Sequence, residues 1–575
     1  MPDVSQRLAD LSPAEKRALL AELLRKKLQA SESYCPLSYN QQGIWFLSQL
    51  APESMVYNVS FAARITSELD VPALRRSFQT LVDRHPCLRT TFSVRSGKPV
   101  QRIHRAAKVH FEELDASAWS RDEMEPRLAD EAHRSFDLEQ GPLLRVSVFK
   151  RSAREHYLLL VVHHIVIDFW SLAILLNELG AIYPAEAADM RATLPPLGLQ
   201  YSDYVRWQSE MLAGAEGERL KAYWQKQLAG QLPVLDLPTD RTRQPIQTHR
   251  GGSHDFVLND RLSGRLKDLA KAQGATLYVV MLAAFQAMLH YLSGQDDLIV
   301  GSPVVGRSRA DFEEIVGLFT NPVFLRVSLS GNPTFHEFVS HVRQTVLEAL
   351  EHQDYPTLLL VEQLKPARDL SRPPICQAMF VLDKPHGLAE KGAPTFVHGE
   401  TGPTMNSGGL VLESFPLEHR SASLDLVLLV VESTQSLSIS IRYNAELFNH
   451  STVIRFGKYF ETLLEHVVMQ PEARLSDLAD LLAATDLEER LPVDFNQADI
   501  PYPDNVCIHR LFEEQVERTP DRIALTFEHQ HLSYAQLNAR ANQVAHYLRA
   551  RGVGPEVPVA ICMERCLEMV VALLG

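Results

Sequence analysis

At 575 residues, with a formal net charge of -14 and 45% hydrophobic residues, the chain is long enough for about three or four domain-sized units and apolar enough to build sizeable cores. The acidic charge is spread along the chain without a basic block that could track a phosphate backbone, which argues against a nucleic-acid partner. Cys35, Cys87, Cys376, Cys507, Cys562 and Cys566 are scattered as in a reduced protein, no secretory signal is evident, and no run approaches the roughly twenty apolar residues that span a bilayer; a soluble, cytoplasmic protein without a membrane partner is expected.

The chain opens with a helical signature over residues 1–34. Ser12 stands at the N-cap, Pro13 at the first helical position and Glu15 where a capping box needs it, followed by an apolar stripe of Leu19, Leu20, Leu23, Leu24 and Leu28. From residue 35 to about 205 strands and helices alternate: Val109–Leu114, Leu144–Lys150 and Tyr157–Val162 read as strands, Pro72–Asp83 and Ser171–Tyr183 as helices. Residues 185–247, richer in charge and proline, read as a bridge between two lobes. Beyond it Leu262–Ala272, Leu277–Ser293 and Pro333–His352 read as helices, and Asp297–Val304 as a strand entering a turn at Gly306. Ile375–Leu382 reads as extended, 384–412 as a long Gly-rich loop, Leu424–Val431 and Leu437–Tyr443 as strands, and Ser451–Gln470 as a closing helix. The prolines and polar residues of 484–507 mark a linker, and a new helix–strand pattern over 508–575 stops inside an apolar helix, Leu567–Leu574, as a truncated domain would.

The most informative stretch is His163-His164-Ile165-Val166-Ile167-Asp168. A buried strand ends in two histidines, and a short loop carries an aspartate just before a helix begins. An imidazole at a strand terminus can face a cleft and exchange protons near neutral pH. The same string also fits a satisfied core histidine with a helix-capping aspartate, and the residues alone leave both readings open. Cys562 and Cys566 lack a second pair or a histidine at zinc spacing, so no metal is expected.

Separated segments then fit one family in one order. Ser38-Tyr39-Asn40-Gln41-Gln42-Gly43-Ile44-Trp45-Phe46-Leu47 resembles the opening motif of condensation domains of nonribosomal peptide synthetases. Arg84-His85-Pro86-Cys87-Leu88-Arg89-Thr90-Thr91-Phe92 resembles the second, and His163 to Ser171 the active-site motif H-H-x-x-x-D-G. Tyr201–Trp207, Val316–Asn321, His352–Pro356 and Arg368–Pro373 resemble the fourth to seventh. Phe495-Asn496, Ile508–Glu513 and Leu532–Leu537 look like the linker and first motif of an adenylation domain, whose phosphate loop would lie beyond Gly575.

The resemblance implies an α/β (α+β) fold: two chloramphenicol-acetyltransferase-like lobes, 35–210 and 211–483, in a V-shaped pseudo-dimer with a central substrate tunnel. An adenylation-domain fragment, 508–575, would follow the linker. It implies an acyltransferase forming an amide between an acyl thioester and the amine of an aminoacyl thioester. No cofactor is bound; the substrates ride on phosphopantetheine. The partners implied are an aminoacyl carrier protein as acceptor, an acyl-CoA or acyl carrier protein as donor, and the adjoining adenylation domain. By the same resemblance His164 meets the amine, His163 supports the loop, and Asp168 holds it by pairing with an arginine, for which Arg307 is the candidate.

Phe169 departs from the family, which has glycine there. Glycine lets backbone approach a substrate closely or adopt positive φ; phenylalanine adds bulk on the expected donor side. Two readings stand: the ring points into the core, or it reshapes the donor channel. With no carrier domain ahead of the first motif, a starter domain taking a fatty acyl-CoA for lipopeptide synthesis is favoured over an elongating domain fed by an upstream carrier protein. A non-catalytic recruitment module is the rival from a different class, and an epimerisation domain shares the histidine motif.

Overall fold

The computed structural model describes residues 33–366, 369–383, 404–433, 436–482, 507–554 and 556–575. The N-terminal helical signature and the linker lie outside them, apart from Ser33, Tyr34 and Cys507. The chain divides into two compact units, Met1–Thr485 and Asp486–Gly575.

The first unit is built on two six-stranded mixed sheets. One has the order β12-β13-β2-β7-β6-β5, from β2 (Asn58–Ile65), β5 (His110–Asp115), β6 (Leu144–Ser152), β7 (Glu155–His163), β12 (Thr404–Ser407) and β13 (Leu410–Ser414). The other runs β10-β9-β11-β14-β15-β8, from β8 (Gly251–Leu258), β9 (Asp297–Val304), β10 (Asn321–Ser328), β11 (Ala378–Asp383), β14 (Leu426–Glu432) and β15 (Leu437–Asn444). A three-stranded sheet of β1 (Ser33–Pro36), β4 (Lys98–Ile103) and β3 (Thr90–Arg95) flanks the first. Each large sheet carries its own apolar core.

The strand that matters is β7. It is buried almost throughout, as expected of a central strand covered on both faces, and pairs antiparallel with β2 and β6. It feeds α4 (Phe169–Ala187) through a five-residue loop; α4 packs on α2 (Val71–Arg84), whose Leu74, Phe78, Leu81 and Val82 supply a buried helical stripe. α1 (Tyr39–Leu50) and α3 (Arg121–Ala132) complete the helices of the first half. The proposed bridge is more structured than its composition suggested. It contains α5 (Tyr201–Leu212) and α6 (Ala215–Gln227). Leu220 and Trp224 of α6 belong to the second core, while Tyr201, Tyr204 and Val205 of α5 cluster with Phe312, Ile315, Leu318 and Phe319. In the second lobe α8 (Leu277–Ser293), buried from Val279 to Leu289, lies with α7 (Asp260–Ala272), α9 (Phe335–Glu351) and the closing helix α10 (His450–Met469) against the sheet.

Two expectations are corrected. Residues 404–414 are a hairpin, not a loop, and it belongs to the first sheet: Leu412 pairs with Ile65 and Ser414 with Ala63. The second lobe is therefore not the continuous segment 211–483, because the chain leaves it after β11, completes the first sheet, and returns at β14. The missed signal was alternation across a Gly-Gly turn, with Met405, Ser407, Leu410, Leu412 and Ser414 buried.

The second unit holds a helix Ile508–Arg518, a hairpin of β16 (Ile523–Phe527) and β17 (Gln530–Ser533), and helices Tyr534–Ala550 and Leu567–Leu574 around a small core of Leu532, Leu537, Leu567 and Val571. Among the described residues no single helix is long and apolar enough to cross a membrane.

The hairpin seats against α4 at a close approach. A Cβ on Gly180 would lie 2.5 Å from Ser407 Oγ, and that hydroxyl donates to the Leu176 carbonyl at 3.1 Å. Gly180→Ala is expected to destabilise by about 1–3 kcal/mol through overpacking, and the Gly180→Ala/Ser407→Ala double variant to recover part of the loss. Thermal unfolding of the three proteins checks this; additive losses in the double variant would refute the contact as the cause.

Candidate active site

The two histidines straddle the end of β7: His163 is its last residue and His164 opens the turn closed by the Val166 N–H on the His163 carbonyl at 3.1 Å. The ladder continues through both: the His163 N–H donates to Leu143 O at 3.0 Å and the His164 N–H to Tyr57 O at 2.8 Å. His163 turns inward, 4% exposed, between the rings of Tyr57 and Phe136. Its Nδ1 accepts the Ile165 N–H at 3.2 Å. Burial, reinforced by the neighbouring His164 and Arg145, pushes its pKa down to about 3. It is a neutral, structural imidazole at physiological pH.

His164 is half-buried. Its Nδ1 lies 2.6 Å from the Ile167 carbonyl. A carbonyl only accepts, so Nδ1 carries the proton, and the neutral ring presents the lone pair at Nε2. The loop that sets this tautomer is anchored by its own apolar residues, since Ile165, Val166 and Ile167 are all buried. Gln41 of α1 also holds it, donating from Nε2 to the Ile165 carbonyl at 3.0 Å.

Asp168 caps α4, accepting from the Ser171 N–H at 2.8 Å and the Ser171 hydroxyl at 2.7 Å. It also binds Arg307, which arrives from the end of β9: Nη1 donates to Oδ2 at 2.6 Å and Nη2 to Oδ1 at 3.2 Å. The Phe319 N–H adds a bond at 3.1 Å. Both side chains of the ion pair are almost fully buried. Burial alone would raise the Asp168 carboxyl, but the Arg307 charge and the hydrogen bonds from Arg307 and Ser171 outweigh it and hold the group below its ordinary range. Arg307 is itself completed by Ser171 Oγ and the Ile315 carbonyl, both at 2.9 Å, and by the Phe319 ring, 4.1 Å from the guanidinium carbon. Gly306 makes this route possible. It has φ +68°, and a Cβ there would sit 2.1 Å from the Phe319 carbonyl oxygen.

The structure thus brings His163, His164, Asp168 and Arg307 to one place: His163 is buried as a core histidine, Asp168 caps α4, and His164 stays half-buried beside them. Phe169 does not point into the core. It is 43% exposed, with its ring centroid 6.0 Å from that of His164 at an interplanar angle of 58°. Trp170 next to it donates from Nε1 to the Glu313 carbonyl at 2.8 Å, a second tie across the lobes.

The separated motifs converge on this junction. Ser38 Oγ lies 2.8 Å from Tyr201 OH, which donates to the Leu318 carbonyl at 2.6 Å. Asn40 donates to the Thr320 carbonyl at 3.0 Å, and Asn321 to the Gln353 and Tyr355 carbonyls at 2.9 and 2.8 Å. Sequence reasoning did not identify the bonds from Ser171 and the Phe319 N–H. The D-x-x-S spacing signals the cap, but nothing local signals the partners from the other lobe.

A family model described as "Condensation domain" matches residues 31–488, and one described as "AMP-binding enzyme" matches 512–575. Gramicidin S synthase 2 of Brevibacillus brevis is 37% identical over 95% of this chain and 12% of its own length; this chain spans about a tenth of the length of the curated relatives it matches. The X-domain in the structure of its complex with OxyB, from teicoplanin biosynthesis, is 28% identical with TM-score 0.68, covering 77% of this chain and 95% of that one. The first condensation domain of the calcium-dependent antibiotic synthetase shares the fold at 20% identity, with TM-score 0.63 over 77% of this chain and 99% of that one.

Asp168→Asn leaves the Arg307 charge buried and uncompensated and is expected to cost about 3–5 kcal/mol in urea unfolding, with Asp168→Asn/Arg307→Met regaining most of it; a loss below about 1 kcal/mol would show the pair to be dispensable. His163 gives a pH signature. Its folded pKa lies below the unfolded value of about 6.5, so its contribution is complete above that pH and is lost as pH falls toward 3. Its share of the slope approaches about 1.4 kcal/mol per pH unit. His163→Gln should flatten the stability profile between pH 6 and 4 by that amount, and an unchanged slope would refute the assignment. Asp168 acts lower: its contribution is complete above the ordinary carboxyl value of about 3.9 and is lost as pH falls toward its depressed folded value.

Proposed function

Since the chain belongs to the condensation-domain family of nonribosomal peptide synthetases, we propose that it forms an amide bond between two thioesters carried on phosphopantetheine, the amine of an aminoacyl group attacking the carbonyl of an acyl group while a thiol leaves. One observation carries the reading: His164 Nδ1 is tied to the Ile167 carbonyl at 2.6 Å, so the nitrogen with a lone pair is the one left to meet an amine. His164 accepts a hydrogen bond from the amine, orients it, takes its proton as the N–C bond forms, and returns it to the departing sulfur as the C–S bond breaks. His163 and Asp168 with Arg307 position that imidazole and touch no substrate. Holding the two reactants together supplies most of the acceleration, on the order of 7–11 kcal/mol in favourable cases, with a general base adding roughly 10²–10⁴-fold.

The acceptor is an aminoacyl carrier protein. The donor is an acyl thioester. The likeness to a gramicidin synthase supports a carrier-borne donor, while the bulk of Phe169 beside His164 supports a fatty acyl group of the kind a starter domain takes from CoA. A second reading, recruitment of another protein without catalysis, has one observation in its favour: the similar X-domain forms a complex with OxyB.

Intact-protein mass spectrometry of an aminoacyl-loaded carrier protein, mixed with this chain and acyl donors on CoA or on a second carrier, tests the reading. Transfer is expected, with His164→Ala reducing its rate by roughly 10²-fold or more and its fold unchanged by circular dichroism. Transfer from CoA identifies a starter domain, and transfer from the carrier alone an elongating one. Silence with both donors overturns the catalytic reading in favour of recruitment.

A further inference from the structure

The loop that presents His164 is apolar and packed away: Ile165, Val166 and Ile167 are each 1% exposed or less. Of the three residues that start α4, Ser171 is committed to the Asp168–Arg307 pair and Trp170 to the Glu313 carbonyl. Phe169, the first residue of α4, is 43% exposed and in ring contact with His164 at 6.0 Å between centroids. An amine held by His164 would lie about 3 Å from Nε2, and the carbonyl carbon it attacks about 3–3.5 Å further. The electrophilic carbon and its neighbour therefore fall in the same distance shell from the imidazole as the Phe169 ring.

Resting on the amide-forming reading above, we propose that Phe169 determines donor specificity by favouring an acyl group whose carbon next to the thioester carbonyl is an unbranched CH2, over aminoacyl or peptidyl donors that carry nitrogen and a side chain on that carbon. The ring offers an apolar wall with no strong hydrogen-bond acceptor. A methylene packs against it, whereas an amide N–H finds no strong acceptor there, and any substituent on that carbon would meet the ring sterically.

Three matched donors isolate the effect: octanoyl, 2-methyloctanoyl and 2-aminooctanoyl, each loaded on the same carrier protein and competed in pairs for one aminoacyl acceptor. The wild-type chain is expected to favour octanoyl by about tenfold or more over each substituted donor. Phe169→Leu should narrow that ratio, and Phe169→Ala and Phe169→Gly should bring it down about tenfold by accelerating the substituted donors. A wild type that favours a substituted donor, or an unchanged ratio in whichever variants still transfer, overturns the proposal while leaving amide formation intact. A wild type that transfers none of the three overturns the amide-forming reading, and this inference with it.

Discussion

Everything at the candidate site depends on one buried ion pair. Asp168 and Arg307 come from opposite halves of the first unit, and neither side chain keeps more than a trace of exposure. Two charges in such a place are tolerable only if their remaining donors and acceptors are met. Here Ser171, the Phe319 N–H and the Ile315 carbonyl do this for all but the Arg307 Nε. Because Asp168 is also the N-cap of α4, the same carboxylate fixes the start of the helix, the end of the loop and the second lobe's approach. His164 inherits its orientation from that loop. The pair is thus a positional device, consistent with the weak net stabilisation expected of buried ion pairs in general.

The two histidines illustrate how one strand divides labour. The strand ends between them, leaving one imidazole buried and the next half-buried, and environment then separates their chemistry. His163 is surrounded by Tyr57, Phe136 and the nearby Arg145 and cannot hold a proton at neutral pH. His164 has its tautomer set by the Ile167 carbonyl, in a loop anchored by its buried apolar residues and by the Gln41 bond to the Ile165 carbonyl.

About half of the described strands and helices of the first unit were legible, those whose signals are local: the apolar run before His163, the Leu74–Phe78–Leu81–Val82 stripe, the strand into Gly306. The candidate site was legible through ordered motifs, and Arg307 through the pairing that the family resemblance implies for Asp168. What stayed hidden was tertiary. Phe169 reads equally as core or channel until the packing of its neighbours is known. The 404–414 hairpin has its own alternation, but its partner strand lies roughly 350 residues earlier, and no window of sequence contains both. The bridge over 185–247 looked irregular because its helices α5 and α6 bury short stripes in different apolar clusters.

That hairpin has a consequence for how the protein is made. During synthesis the edge of β2 leaves the ribosome long before β13 exists. At about 5–20 residues per second the interval is tens of seconds. Throughout it the nascent first sheet presents an unpaired edge, the kind of surface on which chains associate wrongly. Completion of that sheet is also the most non-local step in the fold, where closure entropy is largest. The first lobe therefore cannot finish folding as an autonomous unit, and a cut or exchange made between the lobes would leave it without its outer strands.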